Sequence, residues 1–317
     1  MTKTILYLGK KLLSAFAALL VISLMTFFVF QILPGNPALI ILGVDADPLQ
    51  VAALEKQMGL NQPLLVRYLT WLAGLFSGDL GTSLRYQVPV MQLIGSALPV
   101  TVSLTVLSLL ITIVVVVPVS VYLATHNNSK IATFLSALTQ LGVSVPSFWL
   151  AILLILIFAV TLRWFPSGDM VPFSKSISGA IRSLVLPAVA ISIGSTAVVI
   201  RYLKSTLLDE MHMDYVRTAR SKGLSRNAVL YRHVLKNALL PAITILGMIT
   251  VDVLGGSIIV ENVFNLPGIG RLITSGVGNR DFPLVQALVF YLASTVVVIN
   301  FLVDLLYTAI DPRIRLP

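Results

Sequence analysis

Leu207 to Pro241 reads LLDEMHMDYVRTARSKGLSRNAVLYRHVLKNALLP, a polar island in a chain that is otherwise apolar. Runs long enough to cross a bilayer flank it on both sides. Within it, the acids Asp209, Glu210 and Asp214 precede the bases Arg217, Arg220, Lys222 and Arg226, an order that suits the helix dipole. From Asp214 to Ser221 is two turns of helix, roughly 12 Å at about 1.5 Å per residue. Gly223 permits a left-handed exit, and Ser225 can cap a second helix that runs into the next apolar stretch. Ala219 gives the first helix one small position where another surface could approach. A compact, charged helix-turn-helix held between two spans offers a soluble partner something to grip.

Composition sets the class. Of 317 residues, 57% are hydrophobic and 11% charged, whereas a soluble domain carries about 25% charged residues. Long uncharged runs make this a polytopic membrane protein. The net charge of +9 invites a nucleic-acid or anionic-lipid reading, but the distribution of the charges matters more than their sum. The absence of cysteine excludes disulfides, thiolate metal sites and a cysteine nucleophile. The opening MTKTILYLGKKLLSAF leads into an apolar run longer than a signal-peptide core, with no A-x-A-like site after it. It is expected to stay as the first span.

Six spans are expected, at about 12–33, 99–124, 132–160, 184–203, 238–260 and 284–308. Prolines 118, 146, 187 and 241 fall in or beside them, tolerable where neighbouring helices satisfy the freed carbonyls. Six spans put both termini on one side. The termini, 125–131 and 204–237, with Arg201 at their edge, hold fourteen of the 22 Lys and Arg residues, so the positive-inside rule makes that side cytoplasmic. The segment 34–98 is then external. In it, Asp47-Pro48 reads as a helix start and Gly59 as its stop, with Val51, Leu54 and Met58 on one face. After Pro63, Leu65, Leu69, Leu72 and Phe76 recur at helical spacing beside Tyr68 and Trp71. Such a helix lies in the membrane interface or touches an extracytoplasmic partner.

YVRTARSKGL followed by RHVLKNALLP resembles the signature of ABC importer permeases, closest to the dipeptide, oligopeptide and nickel branch. The general consensus is Glu-Ala-Ala, three residues, then Gly. Here Arg217, Thr218 and Ala219 stand before Gly223, the R-T-A form of the peptide branch. ILPGNPA (32–38), GLNQPLLVRYLTWL (59–72), GDLGTSL (78–84), GGSIIVENVFNLPGIGRL (255–272), RDFPLVQALV (280–289) and DLLYTAIDPRIR (304–315) resemble the same branch in order. The resemblance covers nearly the whole chain. It implies a bacterial inner-membrane permease that pairs with a second, related permease, two ATP-binding subunits and an extracytoplasmic solute-binding protein. It also implies that Asp214, Tyr215, Arg217, Thr218, Ala219, Arg220, Lys222, Gly223 and Leu224 meet the ATP-binding subunit.

The sequence has no G-x-x-x-x-G-K-[ST] phosphate loop. ATP and magnesium are therefore expected in the partner subunits, with no cofactor in this chain. His126, His212 and His233 are isolated, without metal-ligand spacing, and no G-x-S-x-G occurs. A non-catalytic subunit is expected. Asp252 and Asp304 fall within predicted spans, where a carboxylate at the helix centre costs about 2.5–3.5 kcal/mol. Asp304 suits a structural pair with an arginine. Asp252 either sees a cationic part of the solute or makes a buried hydrogen bond. Asn300, Gln140, Ser144 and Thr139 either line the same passage or bond between helices.

The expected architecture is all-α and of the type I importer permease kind. It is one transmembrane domain over 1–317, with an external segment at 34–98 and a coupling segment at 204–237. The expected function is import of di- or oligopeptides by alternating access, with nickel, metal chelates and glutathione-like peptides as alternative solutes. A channel that needs no ATP is the rival class.

Overall fold

The computed structural model describes residues 2–32, 37–43 and 45–310. Residues 33–36 inside ILPGNPA and 311–315 at the end of DLLYTAIDPRIR lie outside the described residues. All regular elements among the described residues are helices, with one isolated bridge between Thr82 and Pro89. In chain order they are α1 (Thr2–Ile32), α2 (Pro37–Leu42), α3 (Pro48–Gln57), α4 (Leu64–Ser77), α5 (Val90–Thr125), α6 (Lys130–Ser144) and α7 (Ser147–Leu154). Then follow α8 (Ile177–Met211), α9 (Asp214–Ser221), α10 (Arg226–Val229), α11 (Leu235–Val263), α12 (Ile269–Gly278) and α13 (Phe282–Ile310).

Five of these are long and apolar enough to cross a membrane, six if α6 and the helix after it count as one bent span. That bend corrects the third expected span. Residues 132–160 are not one helix but two, bent by 109° at Val145-Pro146. Proline has no N–H to continue the ladder, and it forces the preceding residue out of the helical region; Val145 is extended at φ −92°, ψ 125°. After the bend, α7 runs on as a π-helix from Ile155 to Thr161. Pro118, Pro187 and Pro241, by contrast, stay inside their helices.

The chain forms two compact units, 1–99 with 267–301 and 100–266 with 302–317. A reading in chain order does not see that the first unit joins the N-terminal third to residues 267–301. Its core is Val90, Ile94, Ala97, Ile269, Leu284, Ala287 and Leu288. Asp47 caps α3 by accepting from the Leu49 N–H, and Gly59 follows at φ +69°. On α4, Tyr68 and Trp71 pack edge-on or tilted against Phe27 of α1, and the Tyr68 hydroxyl meets Ser23 Oγ at 2.9 Å. The opposite row, Leu65, Leu69 and Phe76, is exposed, as an interfacial helix requires.

The second unit is built on α8, which packs against α6, α7 and α11. Gly142 lets α6 approach α8 closely: a Cβ there would stand 3.1 Å from Ala197 Cβ and 3.3 Å from Ile193 Cγ2. Small residues at such crossings permit tight packing in lipid. Polar cross-links join α5 to its neighbours. Thr196 bonds Thr112, and Thr101 donates to Glu261 Oε1 at 2.7 Å.

Candidate functional site

The polar island folds as its residues dictate. α8 ends at Met211, the chain turns through His212 and Met213, and α9 begins with Asp214 in its first turn. Arg220 stands in the last turn, so both helix ends carry the charge that their dipole favours. Gly223 takes φ +79° and its N–H donates to Arg220 O at 2.9 Å. Ser225 then caps α10 by accepting from the Ala228 N–H at 3.3 Å. A five-residue π-helix, Leu230–Val234, carries α10 into α11; such bulges often accompany functional sites.

Two faces divide α9. Val216, 1% exposed, and Ala219, 7% exposed, point inward and join the core that includes Leu203, Leu207 and Leu230. Ala219 is thus covered by the chain itself, so its small size serves internal packing rather than an open approach. Asp214, Arg217, Thr218, Arg220, Lys222, Gly223 and Leu224 are exposed. Arg217 lies 3.8 Å from Asp214 with both side chains in solvent, a geometry that adds little stability.

Tyr215 sits between these faces. Its hydroxyl donates to Glu210 Oε2 in the last turn of α8, with the Asn237 side chain at the start of α11 nearby. Burial and then the Glu210 bond raise the Tyr215 pKa above its ordinary value, so the phenol stays protonated and donating. Next door, Arg226 Nη2 reaches Thr125 O, the last residue of α5, at 3.4 Å. The α9–α10 hairpin is therefore tied to the ends of α5, α8 and α11. Hydrogen bonds and packed side chains thus connect it to three long helices. From sequence, Glu210 counted among the acids of the island, but neither it nor Asn237 was assigned to Tyr215. The signal available was their charge or amide flanking the basic helix.

The passage residues are scattered. Ser144 donates to Gln140 O one turn away on the exposed side of α6. Asp252 is exposed on α11, and Asn300 is exposed on α13 in the other unit. Among the described residues no hydrogen bond joins Asp252 to Gln140 or Ser144. Thr139 lines a small apolar groove of about 300 Å³ with Thr196 and Ile193. Asp304 is half-buried. Of the histidines, His126 stacks on Tyr122 at 4.6 Å, and His212 Nδ1 lies 2.6 Å from Leu208 O.

Two buried carboxylates were not singled out from sequence. Glu261 takes the Thr101 bond described above. Asp281 accepts from Ser83 Oγ and from the backbone N–H groups of Leu84, Arg85 and Leu284. Its place before Phe282-Pro283 is a recognisable helix start.

Residues 116–316 match the family of binding-protein-dependent transport system inner membrane components, and residues 4–105 match the N-terminal membrane component of such systems. The chain belongs to this family. It is 44% identical over 306 residues to a Brucella abortus protein provisionally named a peptide transport system permease, covering 96% of this chain and 98% of that one. It is 37% identical over 329 residues to the dipeptide transport system permease protein DppB of Alkalihalophilus pseudofirmus, covering 98% and 99%. To the oligopeptide transport system permease protein AppB of Bacillus subtilis it is 36% identical over 312 residues, again covering 98% and 99%. As an ABC importer permease, the chain is a multi-pass subunit of a transport system, and its all-α fold is the one its sequence led us to expect.

Proposed function

We propose that this permease imports peptides across a bacterial inner membrane, moved by partner ATPases that grip α9. One observation carries the reading: α9 is anchored inward through Val216, Ala219 and Tyr215 while its charged outer face stays free. A rigid element of that kind passes a partner's rocking to the spans as rigid-body movement. ATP and magnesium act in two partner subunits, and this chain performs no hydrolysis. A second related permease completes the passage, and an extracytoplasmic binding protein delivers the solute. Both termini and α9 face the cytoplasm, as the distribution of lysine and arginine supports. The names of the relatives above support a peptide as the solute.

The face of α11 that carries Asp252 belongs to the passage. Met248, Asp252, Gly255 and Ile259 form one exposed stripe along the apolar stretch Ile245–Val263, with the carboxylate near its middle. A carboxylate cannot face hydrocarbon there without cost, so the stripe faces the second permease or the water between the two.

Reconstitution of the chain with its partners in liposomes tests this reading. ATP hydrolysis is followed alongside uptake of a peptide mixture and of a nickel chelate. ATP-dependent peptide uptake is expected. Nickel uptake alone would move the assignment to metal transport, and flux without ATP would make the protein a channel.

A further inference from the structure

The first unit contains a cavity of about 790 Å³. Its walls are the end of α1, the turn from α3 into α4, one face of α4, residues 79–81 and the start of α13. The α4 residues that line it are Arg67, Thr70, Trp71 and Gly74, which lie opposite the exposed row of Leu65, Leu69 and Phe76. So α4 turns its apolar row outward and its cation inward. That is the reverse of a helix on a soluble protein, where the apolar face seeks the core. It fits a helix lying in lipid with a polar chamber behind it.

Two donors in this chamber lack acceptors. Arg67 is half-buried, and among the described residues its guanidinium makes no hydrogen bond or ion pair. Burial pushes its pKa below the ordinary guanidinium value. Gln286 Nε2 is buried and has no hydrogen-bond partner. A buried donor without an acceptor is uncommon. Two acids share the walls: Asp79 Oδ1 accepts from the Gly81 N–H at 2.9 Å, and Glu55 has a partner of its own. Phe27, Phe30, Trp71 and Phe282 supply apolar wall beside the donors.

With Arg67 and Gln286 both on its wall, this space asks for an anionic, oxygen-rich group. Aromatic walls ask for hydrocarbon next to it. We propose that this cavity holds the headgroup of an anionic phospholipid, its phosphate taken by Arg67 and Gln286 and its glycerol end against the aromatic wall. Volume agrees, since a few hundred Å³ or more is the size of a small-molecule site. The site is independent of which solute the permease moves.

The test is native mass spectrometry of the whole purified transporter complex, delipidated and then offered one probe at a time. The probes are dioleoyl phosphatidylglycerol, dioleoyl phosphatidylcholine and inorganic phosphate. Wild type is expected to keep a phosphatidylglycerol that the same concentration of phosphatidylcholine does not replace. Arg67→Gln is expected to weaken that retention about tenfold and Gln286→Leu about threefold, while Lys56→Gln, an exposed cation nearby, leaves it unchanged. Arg67→Lys keeps the charge without the fork and is expected to retain the lipid weakly, which guards against a folding failure of Arg67→Gln. Equal retention of the two lipids would overturn the proposal, as would undiminished retention in Gln286→Leu and Arg67→Lys. Displacement of the lipid by millimolar inorganic phosphate would reassign the cavity to a free anion.

Discussion

Ser83 Oγ donates a 2.5 Å hydrogen bond to Asp281 Oδ2 across 198 residues of sequence. The same carboxylate takes the N–H groups of Leu84 and Arg85 and caps α13 through Leu284. Two of the motifs that carry the family resemblance, GDLGTSL and RDFPLVQALV, are thus two halves of one buried knot, with Asp281 at 0% exposure.

Removing that carboxylate leaves a hydroxyl and three N–H groups without their acceptor. Asp281→Ala is expected to cost about 3 kcal/mol or more, since bonds to a charged group contribute about 1.5–3 kcal/mol each. Asp281→Asn keeps one acceptor oxygen and is expected to cost about half as much. Thermal melts of the detergent-solubilised permease check the order; equal melting of Asp281→Ala and wild type would contradict it.

Gly223 lies at φ +79° with nothing within 4 Å of an added Cβ. The constraint is therefore conformational and not steric. Gly223→Ala is expected to cost about 1–2 kcal/mol, the usual penalty for a left-handed L-residue. Gly223→Pro is expected to do more, because its φ is fixed near −65° and the bond to Arg220 O is lost. Both should lower the ratio of peptide uptake to ATP hydrolysed while the protein remains in the membrane. Normal ratios in both would count against α9 as the coupling element.

The two faces of α9 predict opposite phenotypes. Arg217→Glu with Arg220→Glu alters only exposed side chains, so melting should shift by no more than about 0.5 kcal/mol, while co-purification of the ATPase subunits falls. Val216→Asp buries an unpaired carboxylate in the core and should lose the folded chain itself. Bulky replacement of Ala219 belongs with Val216, at about 1–3 kcal/mol for overpacking.

How much of this was readable from sequence depends on distance along the chain. Asp47-Pro48, Gly59, Gly223 and Ser225 act on their own neighbours, so the starts and stops of α3, α9 and α10 were legible. Pro146 was not separable from Pro118, Pro187 and Pro241, because whether a proline breaks a membrane helix depends on what the neighbouring helices supply. The pairs Ser83–Asp281 and Thr101–Glu261 lie far beyond any periodicity. Ala219 is instructive in another way. Val216 and Ala219 share one face by simple helical spacing, so its burial was written in the sequence, but size was read where phase decided.

The Tyr215–Glu210 bond has a definite pH window. Tyr215 has its pKa raised in the fold, so its contribution is complete below the ordinary tyrosine value of about 10. It is lost only as pH rises through the higher folded value. Between pH 6 and 9 the coupling ratio of wild type should therefore not vary through this group. Tyr215→Phe should lower the ratio across that whole range, at a cost of about 1 kcal/mol for the lost bond. A defect that appears only at one end of the range would show that another group is responsible.

Asp252 offers the most direct test of the passage. Its carboxylate is exposed on α11 amid Met248, Gly255 and Ile259, so on the function proposed above it meets water, solute or the second permease. If it meets solute, the charge should matter only for cationic cargo. Asp252→Asn is expected to slow uptake of lysine-containing dipeptides about tenfold, equivalent to about 1.4 kcal/mol, and to leave neutral dipeptides within twofold. Glutamate in its place should restore part of the difference. Equal uptake of both peptide classes by Asp252→Asn and wild type would remove Asp252 from the passage, whereas equal loss of both would make it a packing residue between permeases.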